Sequence, residues 1–234
     1  DLMWDDDELR ALFSKQRETS LCLGMDDSRR REAVEWILRI NSHYGFSPST
    51  AILAVDYLDR FISSRRYSFQ CDDDDDNKPP WMMQLTAVAS LSLAAKLEET
   101  HVPLLLDFQV EGAKYIFEAK TIQKMELLIL STLKWRMSSV TPLSFIDHCI
   151  RRLGLPKTQL FLRRCQNLLL LALPDSRFLW FPPSVLGGAA MIYVIHEGGG
   201  SGFFVDQVAL ASMLRISKDQ VWRCYHFLSD ISSN

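Results

Sequence analysis

The sequence predicts an all-α chain, with two tandem five-helix domains behind a short leading helix. Three observations carry this. Apolar residues recur at three- and four-residue spacing through most of the 234 residues, whereas the two-residue alternation of strands is hard to find. A capping residue followed by proline, the device that opens a helix, stands at Ser47 and Pro48 and again at Thr141 and Pro142. A double proline introduces a helix rich in small residues in each half, at 79 and 80 and at 182 and 183.

The elements follow in order. Residues 1–28 are a leading helix (2–18, with Trp4, Leu9, Leu12 and Phe13 on one side) and a linker. The first domain, 29–138, opens with a helix over 29–43 whose apolar face is Ala33, Val34, Trp36, Ile37 and Ile40. A second helix runs from Pro48 to about Ser64. The third, "WMMQLTAVASLSLAA" from Trp81, is apolar or small on every side, as a helix surrounded by others requires. A shorter helix is expected within 107–117, and a long amphipathic one over "KTIQKMELLILSTLKW". The second domain, 139–234, repeats the plan. Helices are expected from Pro142, over 156–173, over "FPPSVLGGAAMIYVIHE", over 203–213 and over 217–229, the last with Ser217 and Gln220 at capping-box spacing.

Composition narrows the function classes. A formal charge of -3 offers no general basic field for phosphate backbones. Cys22, Cys71, Cys149, Cys165 and Cys224 are scattered and never form a C-x-x-C spacing, which points to a reducing compartment and away from zinc. The richest apolar run is broken by Pro182, Pro183 and two glycines, so no membrane span is expected. The chain starts at Asp1 with neither initiator methionine nor signal peptide, and reads as a trimmed fragment.

Enzyme signatures are weak. The run Asp72 to Asp76 contains D-D-x-x-D, an oxygen-rich pattern that suits magnesium, but it sits in a loop before two prolines with no matching second motif. It reads, like "EGGGSG", as a solvated insertion. The five histidines have no G-x-S-x-G or catalytic-cysteine context, and no phosphate loop is present. No catalytic residue, metal or cofactor is expected.

Charges set into apolar helix seams are more informative. Asp59 and Arg60 interrupt "AILAVDYLDRFI", and a buried carboxylate requires a cation. Arg30, at the start of the preceding helix, is the expected partner and would clamp the first two helices together. Lys96 lies beside Leu93 and Ala95, and Glu126 beside Met125 and Leu128, on neighbouring helices. There an ammonium and a carboxylate could engage the unpaired backbone groups of a partner's helix end or loop. Glu98 and Glu99 share the Lys96 turn, where carboxylates oppose the helix dipole and need another purpose.

These residues resemble a known family. Arg30, Ala33, Trp36, Ile37, Phe46, Ala51, Ala54, Val55 and the run Tyr57 to Phe61 fall at the spacings of the cyclin-box signature, followed by "AAKLEE" and "KMELLIL". "WDDDEL", "SHYGFS", "VPLLLDFQVE", "FEAKTIQKMELLILSTLKWRM" and "VTPLSFIDH" are similar to plant D-type cyclins, particularly the group-three subclass. The likeness is dense to about Arg152 and thins in the second box. It implies two tandem cyclin boxes in a non-catalytic subunit that binds and activates a cyclin-dependent kinase, promoting the G1/S transition in response to growth signals. It also implies a plant A-type kinase partner, Kip-related inhibitor proteins as further partners, and a nuclear as well as cytoplasmic location.

By the same resemblance Lys96 and Glu126, with Glu98 and Glu99 beside them, grip the kinase's regulatory helix, while Arg30 and Asp59 form a supporting ion pair. Trp36, Gln84 and Ala33 match the apolar patch that docks R-x-L motifs. Arg29 stands where many cyclins carry methionine and Arg39 replaces an acidic residue, so docking of basic motifs is in question; Glu35 and Gly112 depart mildly. The L-x-C-x-E motif that binds retinoblastoma-type proteins is absent from this sequence and would lie upstream of Asp1. Tandem cyclin folds also occur in TFIIB-type transcription factors, but neither a basic face nor a zinc ribbon is seen, and salt-dependent DNA binding is expected to be absent.

Overall fold

The computed structural model describes residues 2–17, 27–66, 79, 81–109, 114–152, 159–197, 214 and 217–233. Its helices are α1 (Leu2–Arg17), α2 (Asp27–Tyr44), α3 (Pro48–Arg66), α4 (Trp81–Glu98), α5 (Ala119–Thr132), α6 (Pro142–Arg152), α7 (Gln159–Ala172), α8 (Pro183–Glu197) and α9 (Lys218–Ser232), with a 3₁₀ turn at Ser176–Trp180 before α8. No strand is found among the described residues. The chain divides into two compact units, one of residues 21–139 and the other of 1–20 together with 140–234.

In the first unit α4 is the central element, packed against α2, α3 and α5. Every residue from Leu85 to Ala95 is buried, and the alanines and serines among them let three helices approach at once. Ser47 opens α3 as expected, its hydroxyl accepting from the Thr50 amide at 3.3 Å. The second unit repeats the arrangement with α8 at the centre, touching α6, α7 and α9 and buried from Ser184 to Val194. Pro79 and Pro182 close the first turns of α4 and α8 alike: the Met82 amide donates to the Pro79 carbonyl at 3.0 Å, and the Val185 amide to that of Pro182 at 2.9 Å.

The leading helix belongs with the second unit. Leu9 is buried, Phe13 meets Phe145 with ring centroids 5.4 Å apart, and the Gln16 side chain accepts from the Ser184 amide at the start of α8. Ion pairs fix its other side, Glu8 with Arg151 at 2.7 Å and Asp6 with Arg152 at 2.6 Å. The Arg151 hydrogen bond, opposed by partial burial, holds the Glu8 carboxyl below its usual range.

Three local expectations need correction. Within 107–117 the described residues form turns and extended chain rather than a helix, because side chains bond the backbone in helix's place. Asp107 accepts from the Leu104 amide, and the Gln109 amide both donates to and accepts from the backbone of Phe117. Helix α5 stops at Thr132 rather than Trp135, with Lys134 and Trp135 in the left-handed region at φ 53° and 60°. At α9 the Ser217 hydroxyl makes no capping bond, and the first turn is closed by the Ser217 carbonyl instead. The helix expected over 203–213, the run Asp72 to Asp76 and the glycines of "EGGGSG" lie outside the described residues.

Gly187 shows how tightly α8 is held. A Cβ there would stand 2.8 Å from the Pro142 carbonyl oxygen and 3.3 Å from the Phe145 Cβ. Gly187→Ala is therefore expected to destabilise the second unit by about 1–3 kcal/mol, since a backbone atom must move to admit the methyl. Urea titration followed by circular dichroism measures this, and an unchanged midpoint would show that the contact yields freely.

Candidate functional site

The site forms where the core of α4 ends. Helix α4 delivers Lys96 one residue beyond its buried stretch, and α5 buries Ile122, Met125, Glu126 and Ile129 on one stripe. Glu126 thus occupies a core-facing position, tolerated only with a cation at hand. Lys96 supplies it: Nζ donates to Oε1 at 2.6 Å and to Oε2 at 2.8 Å. The two ends differ in exposure, with the Lys96 side chain 44% accessible and that of Glu126 8%. An ammonium has three N–H donors, so one remains to be offered outward.

The surroundings are apolar and open. Leu97 follows Lys96, Leu127 and Leu128 follow Glu126, and Leu104 and Leu106 stand in the loop after α4, all exposed. A buried carboxylate capped by a half-exposed ammonium, with exposed leucines beside it in sequence, is the composition of a protein-binding surface rather than a reaction centre. Among the described residues no cluster of three or more His, Cys, Asp or Glu could hold a metal, and no helix is long and apolar enough to cross a membrane. The buried thiols of Cys149, Cys165 and Cys224 are pushed up to about 12 by burial, which makes them unreactive as nucleophiles.

Comparison with known proteins decides the family. The cyclin N-terminal domain matches residues 7–138 and the cyclin C-terminal domain residues 140–234. The chain belongs to the cyclin family. It is 52% identical to Cyclin-D3-3 of Arabidopsis thaliana over 99% of this chain and 64% of that protein, and 52% identical to Cyclin-D3-1 of the same plant over 97% and 60%. These relatives place it with the plant D-type cyclins of group three, and it spans about three-fifths of their length. A viral cyclin from Herpesvirus saimiri shares the fold at a TM-score of 0.77 and 15% identity, covering 97% of this chain and 96% of that one.

The remaining expected site residues of this cyclin fall into three groups. Arg30 and Asp59 meet: Nε donates to Oδ1 at 2.8 Å and Nη2 to Oδ2 at 2.9 Å, with both residues buried, joining α2 to α3. Burial pushes the Asp59 carboxyl up, and the Arg30 charge and hydrogen bonds work against that.

Glu98 and Glu99 part ways. Glu98 is exposed beside Lys96, whereas Glu99 turns inward and accepts from the Ser47 amide at 2.7 Å and from the Thr50 hydroxyl, capping α3. Burial alone would push Glu99 up, but the bonds from Thr50 and Ser47 outweigh it and hold its carboxyl below the usual range. A lowered folded value means its contribution is present above the unfolded value near 4.5 and is lost as pH falls through the folded one. Glu99→Ala is expected to cost about 1 kcal/mol at neutral pH and nothing in strong acid. Thermal melts of both proteins across pH 2–7 test this, and a difference that persists in acid would refute it.

The third group holds the residues expected to form a docking patch. Ala33 and Trp36 are buried, and the half-buried Gln84 donates to the Tyr115 carbonyl at 3.2 Å. Arg39 stays exposed on α2 and Arg29 partly so, while Gly112 lies outside the described residues.

One feature of the first unit had no signal in the sequence. Trp135 is exposed on the left-handed turn after α5, where its backbone N–H donates to the Leu130 carbonyl at 2.9 Å. Consecutive left-handed residues normally announce themselves as Gly or Asn, and Lys-Trp does not. The chain just beyond is held from α3: Tyr57 donates to the Met137 carbonyl at 2.7 Å, Arg60 to the Arg136 carbonyl at 2.9 Å, and Asp56 binds Arg60 and Ser139.

Proposed function

We propose that this cyclin is the non-catalytic regulatory subunit of a cyclin-dependent kinase, of the plant A type, that it promotes the G1/S transition in response to growth signals, and that it resides in the nucleus and also the cytoplasm. The observation that carries the reading is the Lys96–Glu126 pair, a carboxylate in the core seam reached from outside through its ammonium partner, with exposed leucines beside the pair in sequence. By family likeness these two residues grip the kinase's regulatory helix and neighbouring backbone. The spare N–H of Lys96 suits a carbonyl at a loop or helix end, and Leu97, Leu127 and Leu128 suit an apolar helix face.

Activation then needs no reacting group from the cyclin. The kinase's regulatory helix moves between an inward, ATP-competent position and an outward one, and the cyclin binds the inward position better. A shift from mostly inactive to mostly active requires a preference of about 10⁴-fold, within reach of one interface. Kip-related inhibitors are further partners in this reading, and a retinoblastoma-type protein would bind through a segment outside the present sequence.

Reconstitution tests the proposal. The 234-residue chain is mixed with a purified plant A-type kinase, and association and phosphorylation of a histone substrate are measured. Stable complex formation with increased phosphorylation is expected. Failure to associate with any kinase of this type would overturn the functional reading.

A further inference from the structure

We infer that the second unit carries a docking cleft, separate from the Lys96–Glu126 surface, for a short acidic peptide segment bearing an aromatic side chain. The cleft, about 580 Å³, lies between the 3₁₀ turn with its following prolines and the outer side of α9. Its floor is aromatic and rigid. The Phe181 and Phe227 rings lie 5.6 Å apart, and the Arg177 guanidinium sits 5.0 Å from the Phe227 centroid. Arg177 is itself fixed by Asp175 at 2.8 Å, which neutralises it and makes it part of the wall.

One side of the cleft is Trp180, 60% exposed, and the other presents Arg223 and His226 from successive turns of α9. Exposed tryptophan facing arginine across a cleft combines two residue types enriched at protein interfaces, because the ring offers area at little entropic cost and the guanidinium offers a planar fork. Volume also fits, since the space accepts one large side chain with its flanking backbone.

Charge selects the occupant. The Arg223 guanidinium makes one long contact, 3.4 Å to the Asp219 carbonyl in its own helix, and forms no ion pair within 4 Å among the described residues. A carboxylate two or three atoms from a peptide backbone would form the bidentate pair that Arg223 lacks. Asp230, on the same wall and 3.9 Å from Arg177, repels any anion near it, so the occupant's carboxylate is placed at Arg223 and its aromatic ring toward Trp180 and Phe181.

The test uses the whole chain and three probe peptides, acetyl-Glu-Asp-Phe-Asp-Glu-amide, its Phe-to-Ala counterpart, and acetyl-Lys-Lys-Phe-Lys-Lys-amide. Indole ¹⁵N–¹H signals of the tryptophans are followed by NMR. The acidic phenylalanine peptide is expected to shift the Trp180 signal saturably, with affinity that weakens as salt rises. Arg223→Glu is expected to weaken it about tenfold or more and to strengthen binding of the basic peptide, a reversal that misfolding cannot produce. Trp180→Ala, followed through the indole signal of Trp222, whose ring lies 5.0 Å from that of His226, is expected to weaken the phenylalanine peptide to the level of its alanine counterpart. Equal binding of the first two peptides by the parent, unchanged affinity in Arg223→Glu, or tighter binding of a single-stranded oligonucleotide would each overturn the inference. Kinase association by Arg223→Glu should match the parent, so the outcome does not depend on the kinase reading.

Discussion

Asp59→Ala is expected to destabilise the first unit by about 3–5 kcal/mol, the cost of leaving the buried Arg30 guanidinium without its carboxylate. Arg30 is fully buried and Asp59 is 2% exposed, so water cannot replace the lost partner. The thermal midpoint should fall by roughly 10 °C or more. Removing both charges is a different experiment. Arg30→Met combined with Asp59→Leu fills the same space without ions and is expected to recover most of the loss, because a buried pair gains little over a well-packed apolar contact. Thermal melts of the single and double variants measure the contrast. A single-variant loss below about 1 kcal/mol would mean the pair is not the clamp between α2 and α3.

Lys96→Ala and Glu126→Ala are each expected to weaken kinase association by about 30-fold or more, equivalent to roughly 2 kcal/mol, with a parallel loss of activation. Their effects on folding should differ. Lys96→Ala strands a carboxylate whose side chain is 8% accessible, whereas Glu126→Ala frees an ammonium that is 44% accessible and readily solvated. Stability should therefore drop more in the first. The exchanged pair, Lys96→Glu with Glu126→Lys, keeps an ion pair but inverts its polarity toward the partner, so it should fold and fail to bind. Calorimetric titration with the kinase, beside circular dichroism of each variant, separates the two effects. Parent-like affinity in both single variants would remove these residues from the interface.

Much of this was legible in the residues because the relevant forces act locally. Caps, prolines and apolar spacing operate within four or five residues, so Ser47 with Pro48, the two double prolines and the uninterrupted apolar body of α4 announced their helices directly. Burial of charge was legible for the same reason. Asp59 in an apolar seam demands a cation whatever the fold, and Arg30 stood one helix away.

The sequence alone therefore determined an all-α chain built around two buried small-residue helices, and the positions where charge would meet core. Tertiary structure alone decided what each charge does. Glu99 reads like Glu98 until α3 brings Thr50 and Ser47 to it across about fifty residues. The end of α5 reads as helix until Tyr57 and Arg60 hold the chain beyond it and Lys134 and Trp135 adopt left-handed angles. The leading helix reads as a separate segment ahead of both domains, yet Glu8, Phe13 and Gln16 find their partners on α6 and α8. In each case the deciding bond joins residues too far apart in sequence for any local pattern to encode, and it forms only once the helices have packed.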